Sequence, residues 1–217
     1  METFEKPQAI EGPVCPIPLS HNDQILLGHG SGGRMTHDLV KKVFLPYLQN
    51  SFLSEGNDFA RFDLPSKANL EGKLIITTDS HIVHPLFFPG GDIGRLAICG
   101  TVNDICMSGA MPLYLTAGFI IEEGFPVELL EKVLSSMKIA ADESGVLVVA
   151  GDTKVVEKGK ADKLFINTAG IGWQPNGLVI GGQCARPGDI VIISGTIGDH
   201  GIAVLNARQD LAIQTNV

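Results

Sequence analysis

The chain has 217 residues, of which 44% are hydrophobic and 18% charged, and its formal net charge is −8. This composition excludes a disordered chain and a coiled coil and predicts a globular protein with a sizeable core of its own. The acidic balance, 16 Lys and Arg against 24 Asp and Glu, argues against nucleic acid or a membrane as a partner, since both favour a basic protein surface.

Residues 1–24 contain four prolines and little periodicity, and we expect them to form an extended arm. They lack the basic start and the apolar segment of a signal peptide. The four cysteines, Cys15, Cys99, Cys106 and Cys184, show no C-x-x-C spacing. Reduced thiols and a cytoplasmic location are therefore expected.

An apolar stretch at 25–27 leads into a glycine-rich segment, GHGSGG, at 28–33. An amphipathic helix is predicted from Arg34, because apolar residues recur there at every fourth position. Pro46 lies inside that pattern and is predicted to kink or end the helix.

Strands and helices alternate after residue 72. Strands are predicted at 73–78, 113–122, 146–150 and 164–173, and helices at 93–108 and 126–144. A Pro/Gly loop with the sequence HPLFFPGGDIG precedes the first of these helices. The alternation predicts one α/β domain over 25–175.

The pattern changes at residues 176–217, which are predicted to begin a second domain. The segment ARPGDIVIISGTIGDHG, at 185–201, indicates a fresh strand followed by a turn and a helix. We expect this second domain to be incomplete.

The glycine-rich segment allows two interpretations. Glycines let backbone N–H groups converge on an anion at the start of a helix, as in phosphate-binding loops. However, GHGSGG matches neither G-x-x-x-x-G-K-[ST] nor the spacing of a dinucleotide fingerprint. A phosphate loop and a flexible hinge both remain open.

Three aspartates lie where apolar segments stop or on a small, apolar helix face. Asp79 follows KLIITT, Asp152 follows VLVVAG, and Asp104 lies on the predicted helix at 93–108. Each alone is more often a turn or cap residue. Together, beside a glycine loop, they indicate a site for Mg²⁺, which prefers oxygen ligands and often also takes substrate phosphates.

Lys154 could pair with phosphate in phosphoryl transfer, although a solvated lysine at a strand end is the simpler interpretation. The histidines have no zinc-ligand spacing, and no Ser-His-Asp or G-x-S-x-G arrangement is present. The residues alone therefore predict an α/β domain that binds Mg-nucleotide, and they do not predict its substrate.

Four motifs in this order resemble a known family: GHGSGG, TTDSHIVHPLFFPGG, CGTVND and GDTKVV. From about Leu27 onwards the chain is similar to the hydrogenase expression/formation protein E (HypE) family of [NiFe]-hydrogenase maturation. The wider superfamily includes aminoimidazole ribonucleotide synthetase (PurM), selenophosphate synthetase and thiamine-monophosphate kinase. The resemblance implies a PurM-like N-terminal domain, a mixed sheet with helices on one face.

The resemblance also implies an ATP-dependent carbamoyl dehydratase that uses Mg²⁺. In that family a C-terminal cysteine carries a carbamoyl group, which ATP-dependent dehydration converts to thiocyanate, the source of the cyanide on the hydrogenase iron. The implied partners are the carbamoyltransferase HypF, the HypC–HypD scaffold complex and a second copy of the chain, joined through the N-terminal sheets.

The same resemblance assigns roles to individual residues. Lys154 would stabilise phosphate charge or assist removal of a carbamoyl proton. The implied metal ligands are Asp79, Asp104, Asp152 and, by a looser match of GNDFA, Asp58. The implied nucleotide-binding residues are His29, Gly30, Ser31, Gly32, Gly33, Asn103, Asp104, Asp152 and Thr153.

The chain departs from the family pattern at its C-terminus, which reads Gln-Thr-Asn-Val and carries no cysteine. We therefore expect this chain alone to be unable to complete turnover. Two alternatives stay open: a selenophosphate-synthetase-like phosphotransferase, and a truncated, non-catalytic module that only binds maturation partners.

Overall fold

The computed structural model describes residues 24–30, 33–51, 53–55 and 72–209. Within these residues, six strands form two sheets. The strands are β1 (Gly72–His81), β2 (Phe87–Phe88), β3 (Gly91–Asp92), β4 (Met111–Glu122), β5 (Leu147–Val156) and β6 (Leu164–Pro175). One sheet has the order β1-β6-β4-β5, and β2 pairs with β3 in a short hairpin.

Five α-helices lie in the same part of the chain. They are α1 (Arg34–Leu39), α2 (Leu45–Leu48), α3 (Ile93–Cys106), α4 (Val127–Ser144) and α5 (Asp199–Gln209). A π-helical turn at Val40–Phe44 joins α1 to α2, just before Pro46. Since proline cannot donate to the carbonyl four residues earlier, this wide turn is the irregularity that the sequence predicts. None of the helices described is both long and apolar enough to span a membrane.

The four-stranded sheet is mixed. Strands β1 and β4 run antiparallel to β6, whereas β4 and β5 are parallel and α4 connects them. Helices α3 and α4 pack together, and α3 lies against β1, β4 and β6. Because these helices cover one face, we call the opposite side of the sheet the open face. The predicted α/β fold, with helices on one face of a mixed sheet, is confirmed.

The covered face of the sheet supplies most of the core. Leu115, Ile121 and Ile166 are at most 1% exposed, and Ile98 of α3 and Leu134 of α4 are fully buried. Alternate residues of a strand point to one face, so every second position of β4 and β6 reaches this core. Each such side chain contributes about 1.5–3 kcal/mol when it is fully buried.

Strands β1 and β5 both continue beyond their predicted ends, to His81 and Val156. Asp79 and Asp152 therefore lie inside strands, which corrects the expectation that they stand at strand ends. The strands continue because hydrogen bonding between backbones does not depend on the side chain. Asp79 pairs with Thr168 of β6 in the sheet register.

The strand predicted within 185–201 is absent. The apolar run at 190–193 has no strand assignment, and Ile190, Val191 and Ile192 are 86–89% exposed. A strand needs a neighbour to satisfy its backbone groups, and no described residue pairs with this run. The helix predicted after it is present as α5, with Ala203 and Val204 buried.

Glu122, at the end of β4, holds the turn between β5 and β6. Its Oε1 accepts the N–H of Gly159 at 2.6 Å, and its Oε2 accepts the N–H of Lys163 at 3.2 Å. The side chain is 8% exposed, and the Lys163 ammonium lies 3.5 Å away. The bond from Gly159 is the main cause that lowers the pKa of Glu122 below its usual value; burial opposes this, and Lys163 reinforces it.

This contact predicts a stability that depends on pH. Because the pKa of Glu122 is lower in the folded than in the unfolded chain, its stabilisation is complete above the ordinary pKa of about 4.3 and is lost as the pH falls through the folded value. We expect Glu122→Gln to be less stable than the wild type at pH 7 and to show a shallower loss of stability below pH 5. Urea unfolding from pH 7 to pH 3 measures this, and parallel curves over the whole range would contradict it.

Close packing of α3 on α4 generates a second prediction. A Cβ on Gly94 would lie 2.4 Å from the carbonyl oxygen of Val133, whereas a Cβ on Gly201 of α5 would meet nothing within 4 Å. We expect Gly94→Ala to lower the free energy of unfolding by about 1–3 kcal/mol through overpacking. Gly201→Ala is the matched control, since alanine gains helix propensity at both positions. Thermal unfolding followed by circular dichroism should separate the two, and equal midpoints would show that α3 can move away.

Candidate functional site

The described part of the glycine segment packs against the edge of the sheet at β5. Residues Leu27–Gly30 form a 3₁₀ turn in which His29 is buried. A Cβ on Gly30 would lie 2.5 Å from the backbone nitrogen of Val155, so only glycine allows this approach. Gly33 precedes α1 as its N-cap residue. Ser31 and Gly32 lie outside the described residues.

Asp152 and Lys154 lie beside each other on the open face of β5. The Lys154 ammonium is 3.0 Å from Oδ1 of Asp152, with side chains 63% and 69% exposed respectively. An ion pair this exposed contributes little to stability, about 0–1 kcal/mol. Both side chains are therefore available to a ligand at small cost. Thr153, between them in sequence, is directed to the opposite face by the strand alternation.

The same two residues line a cleft of about 370 Å³ on the open face. The rest of its lining comes from β4, β6 and the C-terminal end of β1. It includes both polar and apolar residues: Ser80, Ile82, Gly118, Phe119, Ile120, Phe165, Ile166 and Asn167. Asn167 donates to the carbonyl oxygen of Asp79 and to Oγ of Ser80, both at 2.9 Å. The cleft combines one cation, one carboxylate and amide or hydroxyl groups with an apolar wall.

Asp79 and Asp104 lie on the other side of the sheet, between β1 and α3, and we call them the carboxylate pair. Thr77, two residues before Asp79 on the same face of β1, donates its hydroxyl to Oδ2 of Asp104 at 3.1 Å. Oδ1 of Asp79 accepts the N–H of Ser80 at 2.7 Å, and its side chain is 45% exposed. Asp104 is exposed, together with Asn103, which corrects the expectation of a buried carboxylate on an apolar helix face.

His81 lies directly behind the carboxylate pair and is 5% exposed. Its Nε2 is 3.7 Å from Oδ2 of Asp79 and 3.3 Å from Oγ1 of Thr168. Burial lowers the pKa of His81 below its usual value, and the charges of Asp79 and Asp104 oppose that effect only in part. The imidazole is therefore neutral at pH 7.

The candidate residues thus form two groups on opposite edges of the sheet. The glycine segment, Asp152 and Lys154 are attached to β5, and the carboxylate pair is attached to β1 and α3. Three strand spacings of about 4.8 Å separate β1 from β5, a distance of about 14 Å. Asp79, Asp104 and Asp152 therefore do not converge on one ion within a single chain, and no group of three or more His, Cys, Asp or Glu among the described residues could hold a metal. Asp58 lies outside those residues.

Sequence reasoning missed His81, Thr168 and Asn167 as residues of the site. The available signal was a pair of adjacent polar residues, Asn167 and Thr168, that interrupts the apolar run of β6. Their importance depends on the strand register, which places Asn167 beside Ser80 and Thr168 beside Asp79. The sequence alone does not supply that register.

Residues 56–174 match the family described as AIR synthase related protein, N-terminal domain. Over 196 residues the chain is 53% identical to the carbamoyl dehydratase HypE of Rhizobium leguminosarum bv. viciae, a match that covers 90% of this chain and 55% of that protein. The chain spans about half the length of the curated relatives it matches.

Solved structures agree with this assignment. The fold superposes on a crystal structure of HypE in complex with ATP with a TM-score of 0.80 and 50% identity, over 88% of this chain and 56% of that one. A HypE–HypF complex contains a chain with 54% identity and a TM-score of 0.63, over 82% of this chain and 55% of that one. The chain belongs to the family of AIR synthase related proteins, whose N-terminal domain it carries, and within that family it is similar to HypE.

Proposed function

We propose that this chain is the nucleotide-binding part of a HypE-type carbamoyl dehydratase of hydrogenase maturation. The observation that carries the proposal is its 50% identity to a HypE solved with ATP, over 88% of the chain. The Asp152–Lys154 pair beside the glycine segment supports it, because an exposed ammonium and the backbone N–H groups of glycines are suited to phosphate.

The reaction we propose is ATP-dependent dehydration of a thiol-bound carbamoyl group. The carbamoyl oxygen attacks the γ-phosphorus of ATP and ADP leaves, with loss of one N–H proton; the C–O bond then breaks with loss of the second N–H proton, which yields phosphate and a thiocyanate. Phosphorylation is needed because oxide is a poor leaving group and phosphate a good one. Lys154 would balance the phosphate charge in this step or assist removal of a carbamoyl proton.

Mg²⁺ would be held by the carboxylate pair. Magnesium is usually bound by one or two carboxylates together with substrate phosphates and water, not by a complete protein cage. Two exposed carboxylates, Asp79 and Asp104, whose inner oxygens already accept hydrogen bonds, fit that requirement. When bound, the ion would neutralise charge on the phosphates. Because the carboxylate pair and the Asp152–Lys154 ion pair lie on opposite sides of the sheet, one nucleotide cannot contact both within one chain. We therefore propose that the two groups, with Asn103, Asp152 and Thr153, contact the nucleotide from adjacent subunits.

The proposed nucleotide site predicts a specific loss on substitution. Lys154→Met should weaken Mg-ATP binding about tenfold, since a hydrogen bond to a charged group contributes roughly 1.5–3 kcal/mol. Lys158→Met, which removes an exposed ammonium from the next turn, is the matched control and should bind like the wild type. Isothermal titration calorimetry measures both; equal affinities for the three proteins would remove Lys154 from the site.

We propose further that the chain forms a homodimer through the open face. Large apolar side chains remain exposed there, including Ile76 at 71% and Ile82 at 64%. A sheet with helices on one side only leaves such a face in water unless another surface covers it. A second copy of the chain is the cover we propose, and HypF and the HypC–HypD complex would bind elsewhere as partners of the whole protein.

This arrangement predicts that a charge on the open face prevents association. Ile76→Glu should be monomeric, because the interface would have to bury an unpaired carboxylate. The control is Ile139→Glu, at a position of α4 that is 52% exposed and faces away from the sheet's open side. Light scattering coupled to size-exclusion chromatography would report the masses. A wild type that is already monomeric, or two variants with the same mass, would contradict the dimer.

A further inference from the structure

The buried hydroxyl of Thr168 determines which nitrogen of His81 carries a proton. Thr168 is fully buried, and its Oγ1 is 3.1 Å from the carbonyl oxygen of Ala97. Because a carbonyl oxygen only accepts hydrogen bonds, the Thr168 hydroxyl is the donor in this contact. The single hydroxyl proton of Thr168 is used in that bond. Its other two neighbours must therefore donate to it: Thr101 through its hydroxyl at 2.6 Å, and His81 through Nε2 at 3.3 Å. His81 is thus the Nε2–H tautomer.

The same N–H group faces the carboxylate of Asp79. Nε2 of His81 is 3.7 Å from Oδ2 of Asp79, and the N–H of Ser80 donates to Oδ1 at 2.7 Å. Oδ1 of Asp79 therefore accepts a backbone hydrogen bond, whereas Oδ2 lies beside the imidazole N–H at a distance too long for a hydrogen bond. With the inner side occupied in this way, the remaining lone pairs of Asp79 are directed outwards, towards solvent.

Gly100 of α3 lies against both His81 and Asp79. A Cβ at this position would lie 2.9 Å from Cε1 of His81 and 3.4 Å from Oδ2 of Asp79. The helix can therefore approach the two side chains only because residue 100 has none. The imidazole and the inner side of the carboxylate therefore pack between β1 and α3.

We propose that His81 is a positioning residue that orients the Asp79 carboxylate for a divalent cation. The proposal rests on the function proposed above, in which Asp79 and Asp104 hold the cation that accompanies ATP. His81 itself binds neither the cation nor the nucleotide. It acts through Asp79, because its buried N–H edge lies 3.7 Å from one oxygen of that carboxylate and favours one orientation of the group. Groups packed behind metal ligands orient the ligands in this way.

Two amide variants test the role of the N–H group. In His81→Gln the amide nitrogen can reach the position of Nε2, whereas in His81→Asn it reaches only the position of Nδ1. The probe is Mn²⁺, followed by electron paramagnetic resonance with and without ATP. We expect His81→Asn to weaken Mn²⁺ binding about tenfold, in the range typical for such partners, and His81→Gln to stay within about threefold of the wild type.

Thr101→Val separates positioning from packing. This variant removes another donor from the same buried network and leaves Asp79 untouched, so it should lower the melting temperature and keep the wild-type Mn²⁺ affinity. Equal Mn²⁺ affinities for wild type, His81→Asn and His81→Gln would overturn the proposal. A loss of Mn²⁺ affinity in Thr101→Val as large as that in His81→Asn would overturn it too.

The measurements with and without ATP distinguish this inference from the proposed function. If Mn²⁺ binding responds to His81 but ATP does not bind to the wild type, the positioning role holds and the nucleotide function fails. If ATP binds and Mn²⁺ affinity does not respond to His81, the nucleotide function holds and the positioning role fails. Absence of Mn²⁺ binding to the wild type overturns the positioning role outright.

Discussion

Helix α3 lies close to β6 because Gly170 and Gly172 present no side chains to it. A Cβ on either residue would come within 2.7 Å of the Ile105 side chain. This close approach brings Asp104, the neighbour of Ile105, within reach of Thr77 on β1, and it places Gly100 over His81. The carboxylate pair and the buried threonine–histidine network are therefore consequences of how tightly one helix packs on one sheet.

The sequence predicted the type of each main element well, and the reason is periodicity. Helices α3 and α4 begin within one residue of their predicted starts because apolar positions recur with the helical period after an Asp or Pro at the start. The ends of β1 and β5 were missed because Asp79 and Asp152 resemble strand breakers locally. The strand predicted at 190–193 is absent because an apolar run becomes a strand only beside a partner.

The candidate residues could be selected from the sequence, but their arrangement could not. Asp79, Asp104, Asp152 and Lys154 were all recognisable by residue type and motif. Which face of the sheet each occupies depends on register, and a shift of one residue reverses it. The three carboxylates that were expected to converge therefore lie in two separate groups, Asp79 with Asp104 and Asp152 with Lys154. His81 was not recognised because its role depends on a hydrogen-bond network whose members are distant in sequence.

The order of the strands also has a consequence for how the chain folds. Strands β4, β5 and β6 and helix α4 are contiguous in sequence between Met111 and Pro175, whereas β1 pairs with β6 across about ninety residues, as between Thr78 and Thr168. Loop closure over such a separation costs entropy before any contact compensates for it. We expect the contiguous unit to form first and β1 to join it late, so that the carboxylate pair is assembled in the last stage of folding.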